Sequence, residues 1–297
     1  MSGALRALVV GGSGFVGRAL LDQLGADRGI GTWHRTPLPG GIRFDAATDP
    51  PGALLGALPP GVTHVVLLHG LIDVERCAAD PIGTAAINVA AMAHMIDAVL
   101  TAGMTPVFAS SDYVFDGARG GYRETDPAAP CTEYGRQKLA IEQRMAGLGG
   151  RGLTVRLSRV IGTRLGTHSV LGPLAAEFKA GRAVRCAIDQ RFSPADVDDT
   201  AGALIRLMET GAGGLYNLAG PEAVTRMDLA VALREAVRMI DPSVQPTLIP
   251  CRLNDLPFRE VRPLDTSLAI GKLLDRTGWR FRDVSTLCAQ VAAGLFA

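Results

Sequence analysis

The sequence predicts an α/β protein: a Rossmann-type, doubly wound parallel sheet with a smaller mixed α/β substrate-binding region. The first observation is a short apolar segment near the N-terminus that runs directly into a glycine cluster and then into a stretch with helical spacing. The second is the alternation of short buried strands with helices over the first 157 residues, which is typical of parallel sheets covered by helices on both faces. With 297 residues, of which 47% are hydrophobic and 20% charged, the chain is long enough for a large core and two domains.

The elements of the first half follow from local residue patterns. Residues 4–10 form an apolar run that is interrupted only by Arg6 and ends in β-branched residues, which predicts a buried parallel strand. Apolar residues recur on one side of segment 15–24 and predict a helix. Further short apolar runs predict the other strands, at 30–33, 42–44, 64–68, 105–109 and 153–157. Helices are predicted at 85–100, which is rich in alanine, and at 132–148.

The alternation of predicted strands and helices becomes less regular after residue 157. Strands are predicted near 183–188 and 215–218, and helices are predicted near 197–208 and 227–238 and from Thr266 onward. No linker rich in glycine or serine separates the halves, so we expect them to pack together. We predict an NADP-binding domain at 1–156 plus about 196–220, and a substrate-binding region at about 157–195 and 221–297.

Composition argues against several classes of protein. The five cysteines are scattered without a CxxC pair and the five histidines without HExxH, which predicts neither a metal site nor a disulfide framework and fits the reducing cytoplasm. The 30 basic and 29 acidic residues give a net charge of +1, which does not favour a nucleic-acid partner. We see no signal-peptide pattern and no apolar run near the length of a membrane span, about 20 residues, so we expect no membrane partner.

The glycine cluster GGSGFVG occupies residues 11–17, between the first strand and the first helix. Glycines at these spacings let the chain turn tightly, let the backbone approach a pyrophosphate and let the helix pack on the strand. This placement predicts a dinucleotide-binding loop. About twenty residues later, an NAD protein places an acid for the ribose hydroxyls, but here the sequence is TWHR and ends in Arg35. Arg35 suits a 2′-phosphate, so we predict NADPH as the cofactor, with NADH as the alternative.

Tyr134 and Lys138 stand four residues apart in a predicted helix, so their side chains lie on one face. A nearby ammonium favours phenolate and is expected to lower the pKa of the tyrosine, which then donates a proton to a carbonyl oxygen as hydride arrives. Only three of the 30 basic residues are lysines, so this placement favours a chemical role. Ser110 and Ser111 end the predicted strand 105–109, at the sheet edge where such folds bind ligands.

The chain resembles the extended short-chain dehydrogenases/reductases and, more narrowly, the dTDP-4-dehydrorhamnose reductase family. Besides the glycine loop, segments resembling that family occur in its order along the chain: IDVERC at 72–77, NV at 88–89, SSDYVFDG at 110–117, GYRETD at 121–126, Pro130, YGRQK at 134–138, DQRFSP at 189–194 and RPLDTSL at 262–268. The resemblance implies a cytoplasmic, NADPH-dependent reductase of a nucleotide sugar, in particular a dTDP-4-keto-6-deoxyhexose. It also implies that the protein forms a homodimer.

The resemblance also implies roles for individual residues. The predicted catalytic residues are Ser111, which orients the carbonyl, Tyr134, the acid, and Lys138, which holds the nicotinamide ribose. The predicted cofactor-binding residues are Gly11, Gly14, Phe15, Val16, Gly17, His34, Arg35, Asp45, Leu68, Tyr134 and Lys138. The predicted substrate-binding residues are Asn88, Ser111, Asp112, Tyr113, Gln190, Ser193 and Arg262.

Two departures from the family leave alternatives open. His69 stands in a turn that is usually rich in alanine, and it is either a ligand contact or a packed loop residue. The family's tryptophan after the sixth strand is missing, and the sequence there reads RLSRV, so the nucleotide or the sugar is open. The alternatives are a dehydratase or epimerase with bound NAD, a reductase of a non-sugar ketone, and a non-catalytic subunit similar to the regulatory subunit of methionine adenosyltransferase. Sugar-nucleotide dehydratases carry an Asp-Glu pair where this chain has Asp112 and Tyr113, which favours reduction.

Overall fold

The computed structural model describes residues 5–163 and 170–296; Ala4, the first residue of the first predicted strand, lies outside the described residues. The strands in chain order are β1 (Ala7–Val10), β2 (Gly29–Trp33), β3 (Ile42–Arg43), β4 (His64–Leu67), β5 (Thr105–Ser111), β6 (Leu153–Leu157), β7 (Val160–Ile161), β8 (Val184–Ala187), β9 (Arg191–Phe192), β10 (Ala195–Asp196), β11 (Gly214–Leu218), β12 (Val224–Thr225) and β13 (Leu248–Cys251). The α-helices are α1 (Phe15–Arg28), α2 (Pro51–Gly56), α3 (Val74–Ala79), α4 (Pro81–Ala85), α5 (Met92–Thr101), α6 (Glu133–Ala146), α7 (Leu171–Lys179), α8 (Val197–Glu209), α9 (Arg226–Ile240), α10 (Gly271–Thr277) and α11 (Val284–Phe296).

Seven strands form one parallel sheet in the order β11-β6-β5-β4-β1-β2-β3. The chain proceeds from β1 to one edge and then returns to β4 on the other side, so the sheet is doubly wound and its strand order reverses between β1 and β4. Apolar side chains of α1 and α8 cover one face of the sheet, and those of α2, α5 and α6 cover the other. The predicted Rossmann-type fold is confirmed, and the reversal point marks the edge where such sheets bind ligands.

A second apolar cluster joins α7, α9 and α11 beside the short strand pairs β13-β8 and β12-β9. Elements α8 and β11 belong instead to the main sheet, where β11 pairs with β6. Helix α10 also packs on α8 and β11, and its Leu273 lies in the core of the main sheet. We therefore propose the domain division predicted above with one change, in which residues 271–281 join the cofactor domain.

The prediction of a helix from Thr266 onward is wrong at its start. Residues 266–270 are not helical, and helices begin only at α10 and α11. The Thr266 hydroxyl donates to Asp112, and Ser267 both donates to Asp265 and accepts from the Gly121 amide. Because these side chains bind other segments, 266–270 lies extended, with Leu268 in a parallel bridge to Tyr122.

The predicted helix 85–100 is part of a longer helical segment, in which the π-helical turn Ala86–Ala91 joins α4 to α5. The whole segment, Pro81–Thr101, has 21 residues, and an 18-residue window within it has a mean hydropathy of 1.4, so by length and composition alone the segment is long enough to cross a membrane. This corrects the expectation that no such run exists. Its Met92, Ile96 and Val99 lie in the core on one face of the sheet, as in the core helix of a globular domain.

Candidate active site

The glycine loop brings the start of α1 against the carboxyl ends of β1 and β4. Gly11 has φ of +92°, and a Cβ atom there would lie 2.9 Å from the His69 backbone nitrogen. A Cβ on Gly17 would lie 2.4 Å from the Gly11 carbonyl oxygen, so this glycine lets α1 pack on the loop. Gly14 caps α1 without any side-chain hydrogen bond, which leaves the first-turn N–H groups for an anion. The loop therefore fits a dinucleotide pyrophosphate.

A cavity of about 710 Å³ opens beside this loop. Seven of the predicted cofactor-binding residues line it: Gly11, Gly14, Phe15, His34, Arg35, Asp45 and Leu68. The other four, Val16, Gly17, Tyr134 and Lys138, do not line it, and Gly17 acts in helix packing instead. The sequence analysis missed Arg18 and Arg76 in the lining; Arg18 lies one helical turn after Gly14, a spacing that signals its place.

The far end of this cavity is suited to a 2′-phosphate. Arg35 is exposed there and lies beyond the end of β2. His34 Nε2 lies 3.2 Å from an oxygen of Asp45, so the one carboxylate in the lining faces a histidine. Arg18 and Arg76 add two further cations to the wall. This balance of charge fits NADPH.

His69 also lines the cavity, and both of its ring nitrogens are shielded from solvent without a hydrogen-bond partner among the described residues. Burial, together with the charge of Lys138, lowers the pKa of His69 to about 4. The ring is therefore neutral at physiological pH. Of the two alternatives left open above, the structure places His69 at the cofactor cavity.

The three predicted catalytic residues come together at the carboxyl edge of the sheet. Ser111 is the last residue of β5, while Tyr134 and Lys138 lie one turn apart on α6. Thr132 caps α6 by accepting a hydrogen bond from the Gly135 amide at 3.2 Å, which fixes the first turn that carries Tyr134. Lys138 Nζ donates to the Ala109 carbonyl of β5 at 2.8 Å. The Lys138 ammonium lies 5.7 Å from the centre of the Tyr134 ring.

Burial sets the protonation of this pair. It raises the pKa of the Tyr134 phenol well above its usual value, although a hydrogen bond with Ser111 acts in the opposite direction. We expected the Lys138 ammonium to bring the pKa of Tyr134 below its usual value, but the net shift is upward because burial is its largest cause. Burial also lowers the pKa of Lys138 to about 8, although Cys77 and Glu142 oppose this shift. At neutral pH the phenol keeps its proton and the lysine keeps its charge, as proton donation by Tyr134 requires.

Two predicted substrate residues, Asp112 and Ser193, serve instead to hold the site together. The carboxylate of Asp112 is buried and accepts hydrogen bonds from the hydroxyls of Ser111, Ser158 and Thr266 at 3.0, 3.5 and 2.8 Å. This joins the ends of β5 and β6 to the C-terminal segment. Ser193 is buried, and its hydroxyl accepts from the Leu268 amide at 3.4 Å.

Asn88 lies within the π-helical turn and connects two elements. Its amide nitrogen donates to the Leu71 carbonyl at 2.9 Å and to Gln137 on α6 at 2.8 Å, and its oxygen accepts from the Leu71 amide at 2.7 Å. The side chain is thus bonded on both its atoms and fixes the loop after β4 against α6. Departures from α-helical geometry of this kind are frequent at functional sites.

A second cavity, of about 490 Å³, contains the other predicted substrate residues: Tyr113, Gln190 and Arg262. The Tyr113 ring packs edge-on against the Tyr134 ring, with their centres 6.0 Å apart, so this cavity lies next to Tyr134. The buried Gln190 Oε1 has no partner among the described residues. It is therefore available to a ligand.

This second cavity is strongly cationic. Arg159, Arg185, Arg226 and Arg262 line it, and the sequence analysis had singled out only Arg262 because nothing in the pattern separates these arginines from the chain's many others. Arg262 is buried and forms an ion pair with Glu75, yet its Nη1 has no partner among the described residues. Such a lining suits a phosphorylated substrate.

A third, mostly apolar cavity of about 380 Å³ adjoins the cationic one. Its apolar walls come from six residues: Val160, Val170, Pro173, Leu174, Val184 and Cys186. Arg159 and Arg226 line both cavities. The two compartments therefore meet at a pair of guanidinium groups.

Proteins that combine a glycine-lined dinucleotide cradle with a Ser, Tyr and Lys set at the edge of one parallel sheet are NAD(P)-dependent oxidoreductases of the short-chain dehydrogenase/reductase class, and this chain has both. It belongs to the family described as RmlD substrate binding domain, whose profile matches residues 5–293. The resemblance drawn from the sequence motifs is thereby confirmed.

Three curated relatives carry related names. The probable low-salt glycan biosynthesis reductase Agl14 of Haloferax volcanii is 32% identical over 59% of this chain and 60% of its own length. The dTDP-6-deoxy-L-talose 4-dehydrogenase (NAD(P)(+)) of Kitasatospora kifunensis is 29% identical over 92% of this chain and 90% of its own. The dTDP-4-dehydrorhamnose reductase of Burkholderia thailandensis is 30% identical over 70% and 75%. The alignment thus spans less than two thirds of the Haloferax protein.

Solved structures share the fold. The dTDP-4-dehydrorhamnose reductase from Bacillus anthracis, solved in complex with NADP, has a TM-score of 0.83 and covers 98% of this chain and 99% of its own, at 19% identity. At this identity the likeness shows that the Rossmann-like architecture is shared along the chain.

Proposed function

We propose that this protein is an NADPH-dependent reductase that transfers hydride to the keto group of a nucleotide sugar, a dTDP-4-keto-6-deoxyhexose, with Tyr134 as the proton donor. The observation that carries the proposal is the position of Tyr134. Its ring packs on Tyr113 of the cationic cavity, while Lys138, one turn along α6, is near enough to His69 in the lining of the cofactor cavity to lower the pKa of that histidine. The donor thus stands between a dinucleotide site and a site for a phosphorylated ligand.

The residues present fit NADPH, which when bound supplies the hydride for the carbonyl carbon. The first turn of α1 would hold its pyrophosphate, and Arg35 with Arg18 would hold the 2′-phosphate. Lys138 would hold the nicotinamide ribose. The charge of the lysine also stabilises the phenolate that remains after Tyr134 gives up its proton.

The proton balance of the reaction rests on Ser111 and Tyr134. The Ser111 hydroxyl would hydrogen-bond the substrate carbonyl oxygen, and Tyr134 would transfer its phenolic proton to that oxygen as the carbon gains hydride. The raised pKa of Tyr134 keeps this proton in place until the oxygen becomes basic. Solvent then restores the phenol for the next turnover.

The cationic cavity favours a nucleotide sugar over a small ketone. Its four arginines match a diphosphate, and the adjoining apolar compartment of about 380 Å³ offers a place for a nucleobase. Asp112 and Tyr113 stand where a dehydratase of this fold carries two carboxylates, which supports reduction over elimination. We also propose that the protein is cytoplasmic and forms a homodimer, a state that light scattering on the purified protein tests.

The proposed function is tested by measuring the reduction of nucleotide sugars by the purified protein. Purified protein is incubated with NADPH and a panel of dTDP-4-keto-6-deoxyhexoses, and the loss of NADPH absorbance is followed alongside Tyr134→Phe. We expect consumption with at least one substrate and its loss in the variant. Tight nucleotide binding without turnover of any ketone would instead identify a non-catalytic subunit, and turnover of a simple ketone alone would contradict the nucleotide-sugar assignment.

A further inference from the structure

Arg159 lies where the cationic and the apolar cavities meet. It lines both compartments, as does Arg226 at the start of α9. Its guanidinium carbon stands 5.5 Å from the centre of the Phe192 ring. A ligand that occupies both compartments would therefore lie against both arginines.

Three carboxylates lie near the junction of the cavities: Asp73 and Glu177 are in the linings, and Asp112 interacts electrostatically with Arg159. Among residues 5–163 and 170–296, no side chain forms an ion pair with Arg159 or Arg226, in contrast to Arg262, which is bonded to Glu75. Burial and the charge of Arg159 both lower the pKa of Arg226. Two like charges held close together, one of them largely buried, cost free energy unless an anion joins them.

Arg159 also lies close to the reacting end of the site. Its charge opposes the burial-driven rise in the pKa of both Asp112 and Tyr113. Asp112 in turn holds the Ser111 hydroxyl. Arg159 therefore stands between the place of the keto group and the apolar compartment, which is where the diphosphate of a nucleotide sugar lies when its base and its sugar occupy opposite ends.

We propose that Arg159 is a specificity-determining residue that, with Arg226, clamps the substrate diphosphate at the junction of the two cavities, so that recognition rests on the phosphates. This inference rests on the proposed function for the identity of the diphosphate. Its consequence is that a nucleoside diphosphate binds much more tightly than the corresponding monophosphate. Sugars that differ only in ring substituents are accepted with similar KM values.

The test compares Arg159→Gln with Arg238→Gln. Arg238 lies at the far end of α9, is exposed and pairs with Glu235, so its variant makes the same change in charge away from both cavities. Calorimetry measures the Kd of dTDP and dTMP for each protein, and kinetics measure KM and kcat for the nucleotide sugar. Arg159→Lys serves as a second variant, which keeps the charge but loses the two-pronged geometry.

We expect Arg159→Gln to weaken dTDP binding about ten- to a hundredfold, the effect of losing a hydrogen bond to a charged group. Binding of dTMP should change little, KM should rise with kcat maintained, and Arg159→Lys should recover part of the loss. Arg238→Gln should match wild type. An unchanged dTDP Kd in Arg159→Gln, or an equal loss for dTMP, would overturn the inference.

The two proposals fail separately. If dTDP binding depends on Arg159 but no keto sugar is reduced, the clamp holds and the proposed reductase activity is wrong. If keto sugars are reduced while Arg159→Gln binds dTDP and turns over substrate like wild type, the reductase assignment holds and the role of Arg159 is wrong.

Discussion

Lys138 is one of three lysines among 30 basic residues, and its environment explains what a lysine does at this position. Its Nζ reaches the Ala109 carbonyl, while the Phe108 ring lies 5.0 Å away. An arginine would keep the charge but not the compact shape of the ammonium. It would also stay protonated near pH 8, where Lys138 loses its proton. The residue thus links the charge of the site to pH.

The lowered pKa of Lys138 predicts a pH dependence. The ammonium is charged below its pKa and is lost as the pH rises through about 8, whereas an ordinary lysine keeps its charge to about 10.4. We expect kcat/KM, which reports the free enzyme, to fall above pH 8. Measuring kcat/KM between pH 6 and about 10.5 checks this, and a decline that begins only near the ordinary lysine value would contradict it.

Some site residues can be predicted from their spacing in the sequence, whereas others come together only in the folded structure. The four-residue spacing of Tyr134 and Lys138 is visible in the sequence because helical geometry places both on one face. The cluster of Arg159, Arg185 and Arg226 is not, because its members come from the loop after β6, from β8 and from the start of α9. For Asn88, the motif indicated importance, but only the structure shows that its amide is bonded to Leu71 and Gln137.

Among the elements, α6 is fixed to the sheet by a buried ion pair one turn beyond Lys138. Glu142 on α6 accepts three hydrogen bonds from Arg156 of β6, at 3.0, 3.2 and 2.7 Å, and a fourth from Ser110 of β5 at 2.5 Å. Both charged side chains are almost fully buried. The Arg156 guanidinium also lies over the Phe115 ring at 4.7 Å. This arrangement sets the position of α6, and with it Tyr134, relative to Ser111.

We expect Arg156→Met to lower the free energy of unfolding by about 3–5 kcal/mol, because it leaves a buried carboxylate without its partner. The double variant Arg156→Met with Glu142→Leu should recover most of the loss, since it removes both charges together. Urea denaturation of the three proteins measures this. A double variant as unstable as Arg156→Met would show that the unpaired carboxylate of Glu142 is not the cause of the lower free energy of unfolding.

Element prediction succeeded where local pattern and tertiary role agree. The strands of the main sheet are continuous apolar runs because both of their faces are covered, and the sequence analysis located them within a few residues. The helix predicted from Thr266 is wrong at its start because the side chains there are engaged in other hydrogen bonds. Thr266 is bonded to Asp112, and Ser267 is bonded to Asp265 and to the Gly121 amide. Tertiary hydrogen bonds of this kind override the local helix propensity of a segment.

At the scale of the whole molecule, one sheet edge carries the ligand sites. The cofactor cavity is built from the loops after β1, β2, β3 and β4, whereas the cationic cavity draws residues from both the sheet domain and the smaller region. The sequence predicted the first because a dinucleotide loop has a local signature. It could not predict the second, which forms only when the two parts pack together.

This organisation predicts that NADPH stabilises the folded chain more than NADH does. A ligand at about 100 times its Kd adds about 2.7 kcal/mol, which should raise Tm by several degrees for a protein of this size. At equal concentration NADH lacks the 2′-phosphate that we propose Arg35 and Arg18 to hold, so its shift in Tm should be smaller. Thermal denaturation with each cofactor checks this, with Arg35→Ser expected to narrow the difference. Equal shifts in wild type would contradict the NADPH assignment.

The central claim is that Tyr134 donates the proton in the reduction of a nucleotide sugar, and single-turnover reduction on enzyme saturated with NADPH tests it most directly. We expect Tyr134→Phe to slow reduction about 10²- to 10⁴-fold while the Kd for NADPH stays near that of wild type. The matched variant Tyr216→Phe, on the edge strand β11, should retain the wild-type rate. A Tyr134→Phe enzyme that reduces substrate at the wild-type rate would show that Tyr134 is not the proton donor.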